Sequence, residues 1–311
     1  MAENILTISK DQKKTTDHIR RQFRFFYIEH FFNKWMGKYR FNPLNEQQYH
    51  FIMKQFWALG TIAASRIGTK TQLEDVKEYL DFQENELIFT PWTTGGTFNI
   101  YDYPINVRLI NRRGVKFITN QELKVNEEVV IGFAQKNHKP VFSAIEAKLN
   151  ELIDIEMKIR AARKGQTQGW LFGFDNEDIE QVKALKEAMD NDEPYMFGLF
   201  KNLNAVKGLA SGAPFIVDKL EAERIQIYNE ILTILGINNL GVPEKKEHLV
   251  TDEIKSNNQE IASCEQLYQE EINSFFEGIK KCFGKTITLE DLNAVEEPQE
   301  KTTEEDEDND N

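Results

Sequence analysis

The stretch that decides the fold begins Ala213-Pro-Phe-Ile-Val-Asp-Lys-Leu220, passes Tyr228-Asn-Glu230 and Leu235-Gly-Ile-Asn238, and ends in Glu244-Lys-Lys-Glu247 and Val250-Thr-Asp-Glu-Ile254 with Ser256-Asn257. Its first half has the marks of a helix. Pro214 suits a first helical turn, where no amide donor is needed, and Val217, Leu220, Tyr228, Ile231 and Leu235 share one apolar stripe. Gly236 stops the run, so the spacing predicts a helix over 214–235. The second half, 238–257, is polar and charged with little apolar content. A loop of about 20 residues between helices is uncommon in a compact domain and is usually functional.

Working outward, a second long helix lies before this one. Pro140 opens it, and Phe142, Ile145, Leu149, Leu152, Glu156 and Ile159 mark its stripe to about Arg163, where Lys164-Gly165 reads as a stop. Between the two helices, Gly169 to Phe200 reads as a small β-α-β unit. Its parts are a strand over Trp170 to Phe174, a helix from the Asp175/Asp178 cap to Met189, and a strand over Tyr195 to Phe200. A small-residue loop with Lys207, Gly208, Ser211 and Gly212 follows. A last helix is predicted from Asn258 to Phe283.

Toward the N-terminus, Ile19, Phe23, Phe26/Tyr27 and Phe31 predict a helix from Thr16 to Trp35, and Glu46 to Leu59 predicts another. The period then changes. Segments 87–90, 97–101, 105–110, 115–118 and 128–133 are short and rich in β-branched or aromatic residues, which predicts an antiparallel β region, curled or partly closed into a barrel. From pattern alone the chain is mainly α, with inserted β and small α/β modules.

Charge is segregated along the chain. Of 311 residues, 38 are Lys or Arg and 51 are Asp or Glu, a net of -13. The terminal stretch 296–311 carries nine acids and one base, so it alone holds -8 of that total. It has no apolar anchor and is expected to be disordered. Residues 1–40 carry nine bases and four acids. There Lys13, Lys14, Arg20, Arg21 and Arg24 interleave with Phe23, Phe25, Phe26 and Tyr27, which suits nucleic-acid or capsid contact and equally suits an amphipathic helix with snorkelling arginines. The net charge argues against a general DNA-gripping surface. No apolar run reaches the roughly 20 residues that span a bilayer, residues 1–10 lack the apolar core of a secretory signal, and two cysteines cannot build a disulfide framework. No membrane partner is expected.

A catalytic or metal constellation is absent from the sequence. His18, His30, His50, His138 and His248 are scattered, and Cys264 and Cys282 sit about 27 Å apart if helical, too far to pair or to share an ion. Gly278 to Thr286 has the look of a phosphate loop, but its glycines are one residue too far apart and it follows a helix, so a helix C-terminus is the better reading. No catalytic residue, metal or cofactor is assigned. These residues alone leave two readings open: an accessory protein of nucleic-acid processing, or a cytoplasmic helical adaptor.

The residues quoted at the outset, densest over 213–260 and looser through Val129-Val-Ile131 and Pro140-Val-Phe142 to Leu152, closely resemble the upper-collar protein of small podoviruses with protein-primed genomes. Those are the portal, or head–tail connector, proteins of the Salasmaviridae and Rountreeviridae types. The resemblance implies a portal fold: wing, helical stem and clip, in a ring of twelve subunits around a channel. It assigns 1–139 to the wing, 140–164 and 214–236 to the stem, 165–213 to the clip, 237–257 to the channel loop, 258–295 to the wing, and 296–311 to the tail. It implies a non-enzymatic protein at one capsid vertex of the virion, assembled in the host cytoplasm. Its partners would be further copies of the chain, capsid protein, the packaging ATPase, lower-collar and tail proteins, and the double-stranded DNA packaged and ejected through the ring. Lys245 and Lys246 match the channel-loop lysines, flanked by Glu244 and Glu247, with Lys255 further on. Without the resemblance, this lysine pair reads as a solvated loop tip. A packaging RNA would meet Lys13, Lys14, Arg20 and Arg21, although Met1 to Thr7 is nearly neutral and the bases begin at Lys10.

Overall fold

The computed structural model describes residues 2–66, 87–110, 122–167, 170–173, 207–210, 216–239 and 251–292. Its helices are α1 (Ala2–Met36), α2 (Glu46–Ala58), α3 (Val141–Thr167), α4 (Val217–Ile234) and α5 (Thr251–Phe283). Its strands are β1 (Tyr39–Asn42), β2 (Thr61–Arg66), β3 (Leu87–Thr90), β4 (Trp92–Thr94), β5 (Asn106–Leu109), β6 (Leu123–Lys124), β7 (Val129–Phe133), β8 (Trp170–Gly173), β9 (Lys207–Ala210) and β10 (Thr288–Asp291). The chain divides into two compact units. One holds Met1–His30, Ala144–Ile234 and Asn239–Asn258; the other holds Phe31–Ser143, Leu235–Asn238 and Gln259–Asn311.

The first unit is helical at its centre. Ile145, Leu149, Leu152, Ile153, Ile155 and Ile159 of α3 are buried, as are Ile227, Ile231 and Leu232 of α4 and Tyr27 of α1. Spacings of three and four residues put each set on one face. β8 and β9 pair antiparallel, from Trp170 opposite Ala210 to Gly173 opposite Lys207.

The second unit is built on aromatic packing. Trp35 meets Tyr39 and Tyr268 edge-on and lies tilted against Trp57, with ring centroids 6.0–6.1 Å apart. Phe41 packs edge-on against Tyr49 and Phe276. Helix α2 starts at a capping box in which the Asn45 side chain accepts from the Gln48 amide and the Gln48 side chain accepts from the Asn45 amide. Two three-stranded antiparallel sheets, ordered β3-β2-β7 and β4-β5-β6, share a core of Ala63, Ile88, Val107, Leu109, Val125, Val129 and Ile131. β1 pairs antiparallel with β10, Tyr39 opposite Asp291.

Several expectations are corrected. Among the described residues the β region forms two small sheets rather than one curled sheet or barrel, and 97–101 is the outward turn of the β4–β5 hairpin rather than a strand. Lys164-Gly165 does not stop α3, which continues to Thr167 because no proline intervenes. The supposed small-residue loop contains β9, since pairing with β8 satisfies its backbone. α5 begins at Thr251, so 251–257 is helix and not loop. On α1 it is Tyr27, not Phe26, that joins the buried stripe with Phe31 and Trp35, and Phe26 is exposed. The predicted elements over 115–118 and 175–200 and the acidic tail lie outside the described residues. Gly278 is inside α5, where a Cβ would fall 2.7 Å from Val130 Cγ1, so its smallness lets the helix lie against β7. Gly284, at φ +67°, follows the helix end, and Lys280 and Lys281 occupy the last turn as a helix C-terminus favours.

Candidate functional site

The segment read as a channel loop lies between α4 and α5 in the sequence, and Asn239, just before it, is tied to Asn257 in the early turns of α5. Asn257 Nδ2 donates to Asn239 Oδ1 at 2.9 Å. Asn239 Nδ2 in turn donates to the Asn229 carbonyl at 3.0 Å and to Thr233 Oγ1 at 2.8 Å, which anchors the pair on α4.

The helices of the first unit carry an ion-pair array. Arg20 pairs with Asp154, Arg24 donates to Asn150 Oδ1 at 2.6 Å and to Glu146 Oε1 at 2.8 Å, and Arg163 pairs with Glu221. Lys148 Nζ lies 3.0 Å from Glu151 and 2.9 Å from Glu230, whose carboxyl its hydrogen bond holds below the usual range. Tyr27 donates to Glu156 Oε1 at 2.5 Å, and burial followed by that carboxylate pushes its phenol up. Each exposed pair contributes about 1 kcal/mol or less, so the array orients helices more than it stabilises them.

In the second unit, α4 hands over to the following segment at a buried cationic clamp. Lys38 is 1% exposed. Its Nζ donates to the Gly236 carbonyl and lies 3.0 Å from Glu265 Oε2 and 3.9 Å from Asp291 Oδ2. Gln269 Nε2 donates to Asp291 Oδ2 at 3.1 Å. Gly236 takes φ +66°, and a Cβ there would fall 2.7 Å from the Glu265 Cα, so both the turn and the close approach require glycine. Two carboxylates share one ammonium. Burial, and then the hydrogen bond with Asp291, lift the Glu265 carboxyl from 4.5 to about 7 against the opposing pull of Lys38.

A raised carboxyl favours the folded state below its unfolded value and loses that advantage as pH rises through the folded one. Glu265 therefore contributes stability that declines between about pH 4.5 and pH 7. Glu265→Gln, neutral throughout, is expected to be less sensitive to pH across that window and more stable than wild type at pH 8, by at most about 3 kcal/mol. Parallel denaturation profiles for the two chains from pH 5 to 8 would refute this.

The sequence-predicted residues fall as follows. Glu244, Lys245, Lys246 and Glu247 lie outside the described residues. Lys255 is in the early turns of α5, and Lys13 and Lys14 are in α1. Arg20 and Arg24 are engaged with α3, while Arg21 is exposed. Sequence spacing pointed neither to the Asn239–Asn257 hydrogen bond of the first unit nor to the Lys38, Glu265 and Asp291 cluster of the second. Among the described residues no group of three His, Cys, Asp or Glu side chains could hold a metal ion, and no helix is long and apolar enough to cross a membrane.

The long helices α1, α3 and α5, with small antiparallel sheets beside them, define a mainly helical protein. The model of the Phage Connector (GP10) family matches residues 6–295, and the chain belongs to that family. It is a phage head–tail connector, or portal, protein, and that family is a structural one. Two solved structures are similar along most of its length. One is the portal and tail of native bacteriophage P68, at 15% identity over 90% of this chain and 89% of that one, with a TM-score of 0.45. The other is the virion of a native gene transfer agent particle, at 10% identity over 86% and 79%, with a TM-score of 0.39.

Proposed function

We propose that the chain assembles as a ring of twelve at one capsid vertex and that double-stranded DNA passes through the ring during packaging and ejection. The observation that carries this reading is the family match over 6–295, nearly the whole chain. In this reading α3 and α4 are the stem, the residues between them the clip, and the segment after Asn239 the channel loop. The capsid protein, the packaging ATPase and lower-collar or tail proteins attach to its outer surfaces, and assembly takes place in the host cytoplasm. A packaging RNA, where one is used, meets the basic start of α1.

Charge segregation suits passage. A tube with acidic walls repels phosphates, and a few lysines repeated around a ring give weak, sequence-blind contact. Lys245 and Lys246 supply those contacts, with Glu244 and Glu247 limiting their strength and Lys255 adding one more cation beyond them. The Asn239–Asn257 hydrogen bond supports the reading, because it ties the residue before the loop to the early turns of the helix that follows it.

Negative-stain imaging of the purified chain tests the ring: annular particles with a central channel are expected, and a chain that stays monomeric at high concentration contradicts it. Lys245→Ala with Lys246→Ala is expected to leave rings intact and to lower retained genome several-fold. Fully packaged, stably held genomes in that variant would remove the loop assignment.

A further inference from the structure

The β4–β5 hairpin ends in a turn that is unusually apolar for a surface. From Gly95 to Val107 there is a single charged residue, Asp102, in a chain that is 29% charged. Ile100 is 88% exposed and Tyr101 82%, and Phe98 and Ile105 are exposed beside them. Such a solvated turn would ordinarily be polar. Depletion of charge with enrichment of aromatics is the composition of an interface centre.

The turn is also held in one shape. Gly95 donates to the Asn106 carbonyl at 2.8 Å, Ile105 to Thr97 at 3.0 Å, Asn99 to Tyr103 at 2.9 Å and Asp102 to Asn99 at 3.1 Å. The Asn99 carboxamide oxygen accepts from the amides of Tyr101 at 2.8 Å and Tyr103 at 3.0 Å. Asp102 takes φ +57°, the left-handed conformation that aspartate tolerates. Tyr103 points the other way and packs edge-on against Phe133, which also meets Trp92. A fixed apolar knob loses little entropy on docking, which is what a preformed contact needs.

We infer that the Phe98–Ile105 turn is an intersubunit knob, docking its exposed Ile100 and Tyr101 onto a neighbouring copy of this chain. This rests on the ring reading above. A closed ring is made by head-to-tail contacts, so one chain must carry two unlike complementary surfaces. The first unit separately exposes Phe25 and Phe26, so this chain does carry apolar surfaces of two kinds. The near absence of charge on the turn also fits a contact buried permanently within a homo-oligomer.

The test places the photocrosslinker p-benzoylphenylalanine at position 100 of the full chain and irradiates purified rings. Covalent dimers and higher multiples are expected. Rings that form but give no cross-link from position 100 overturn the inference while leaving the ring reading intact; a wild-type chain that never forms rings overturns both. As a second arm, Ile100→Asp with Tyr101→Asp is expected to keep the wild-type far-UV spectrum and to lower the ring population roughly tenfold or more. Wild-type ring yield in that variant overturns the knob, as does a knob that cross-links only to an added capsid protein.

Discussion

Lys38→Met is expected to destabilise the protein by about 3 kcal/mol, because it leaves two half-buried carboxylates with no cation between them. The ammonium also satisfies the Gly236 carbonyl at the end of α4, so that acceptor is orphaned as well. Methionine keeps the length and packing of the stem, so the loss reads the charge and not the volume. The cost should grow with pH, since Glu265 can relieve the repulsion by binding a proton in the acidic range and not above it. Combining Lys38→Met with Glu265→Gln should recover part of the loss, the coupling expected of groups in direct contact. Chemical denaturation at pH 5.5 and pH 8 measures both effects. A loss below about 1 kcal/mol, equal at the two pH values, would show that the clamp is not a structural element.

Trp35→Ala should cost about as much, 3–5 kcal/mol, by a different mechanism. Trp35 is fully buried and touches the rings of Tyr39, Trp57 and Tyr268, so its removal opens a cavity at the junction of α1, α2, β1 and α5. Its indole N–H has no hydrogen-bond partner in the structure. Trp35→Phe deletes that unsatisfied donor and keeps much of the ring, so it should cost less than about 1.5 kcal/mol. Equal losses for the two variants would mean that the N–H has an acceptor and that packing is not the main contribution.

Much of the helical framework was legible because its signals are local. Proline at the start, glycine at the end and a stripe at 3.6-residue spacing lie within one segment, and α2, α3, α4 and α5 follow those marks to within a few residues, apart from the start of α5. The strands were legible where β-branched or aromatic runs were isolated by turn residues, as at β3, β5, β7 and β8. β1 and β10 escaped because neither carries a pattern of its own, and each is a strand only because the other lies beside it across most of the chain. The turn at 98–105 looked like a strand because Phe98, Ile100 and Tyr101 have strand composition. Their side chains face outward, away from any core of this subunit.

The candidate residues divide in the same way. Lys245 and Lys246 are proposed through family resemblance alone, since a lysine pair in a polar stretch has no spacing that marks it, and they lie outside the described residues. Lys38 counted only as one of nine bases near the N-terminus, and nothing local separates it from Lys34, which stays outside. What the sequence alone determined is which segments are the main helices and how charge is distributed along the chain, because each depends on residues within a few turns of one another. Only the tertiary structure decided which lysine is buried and which asparagines bond to each other. The carboxylates that accept Lys38 come from α5 and β10, and their pull exists only once folding has brought those distant segments into a dry interior.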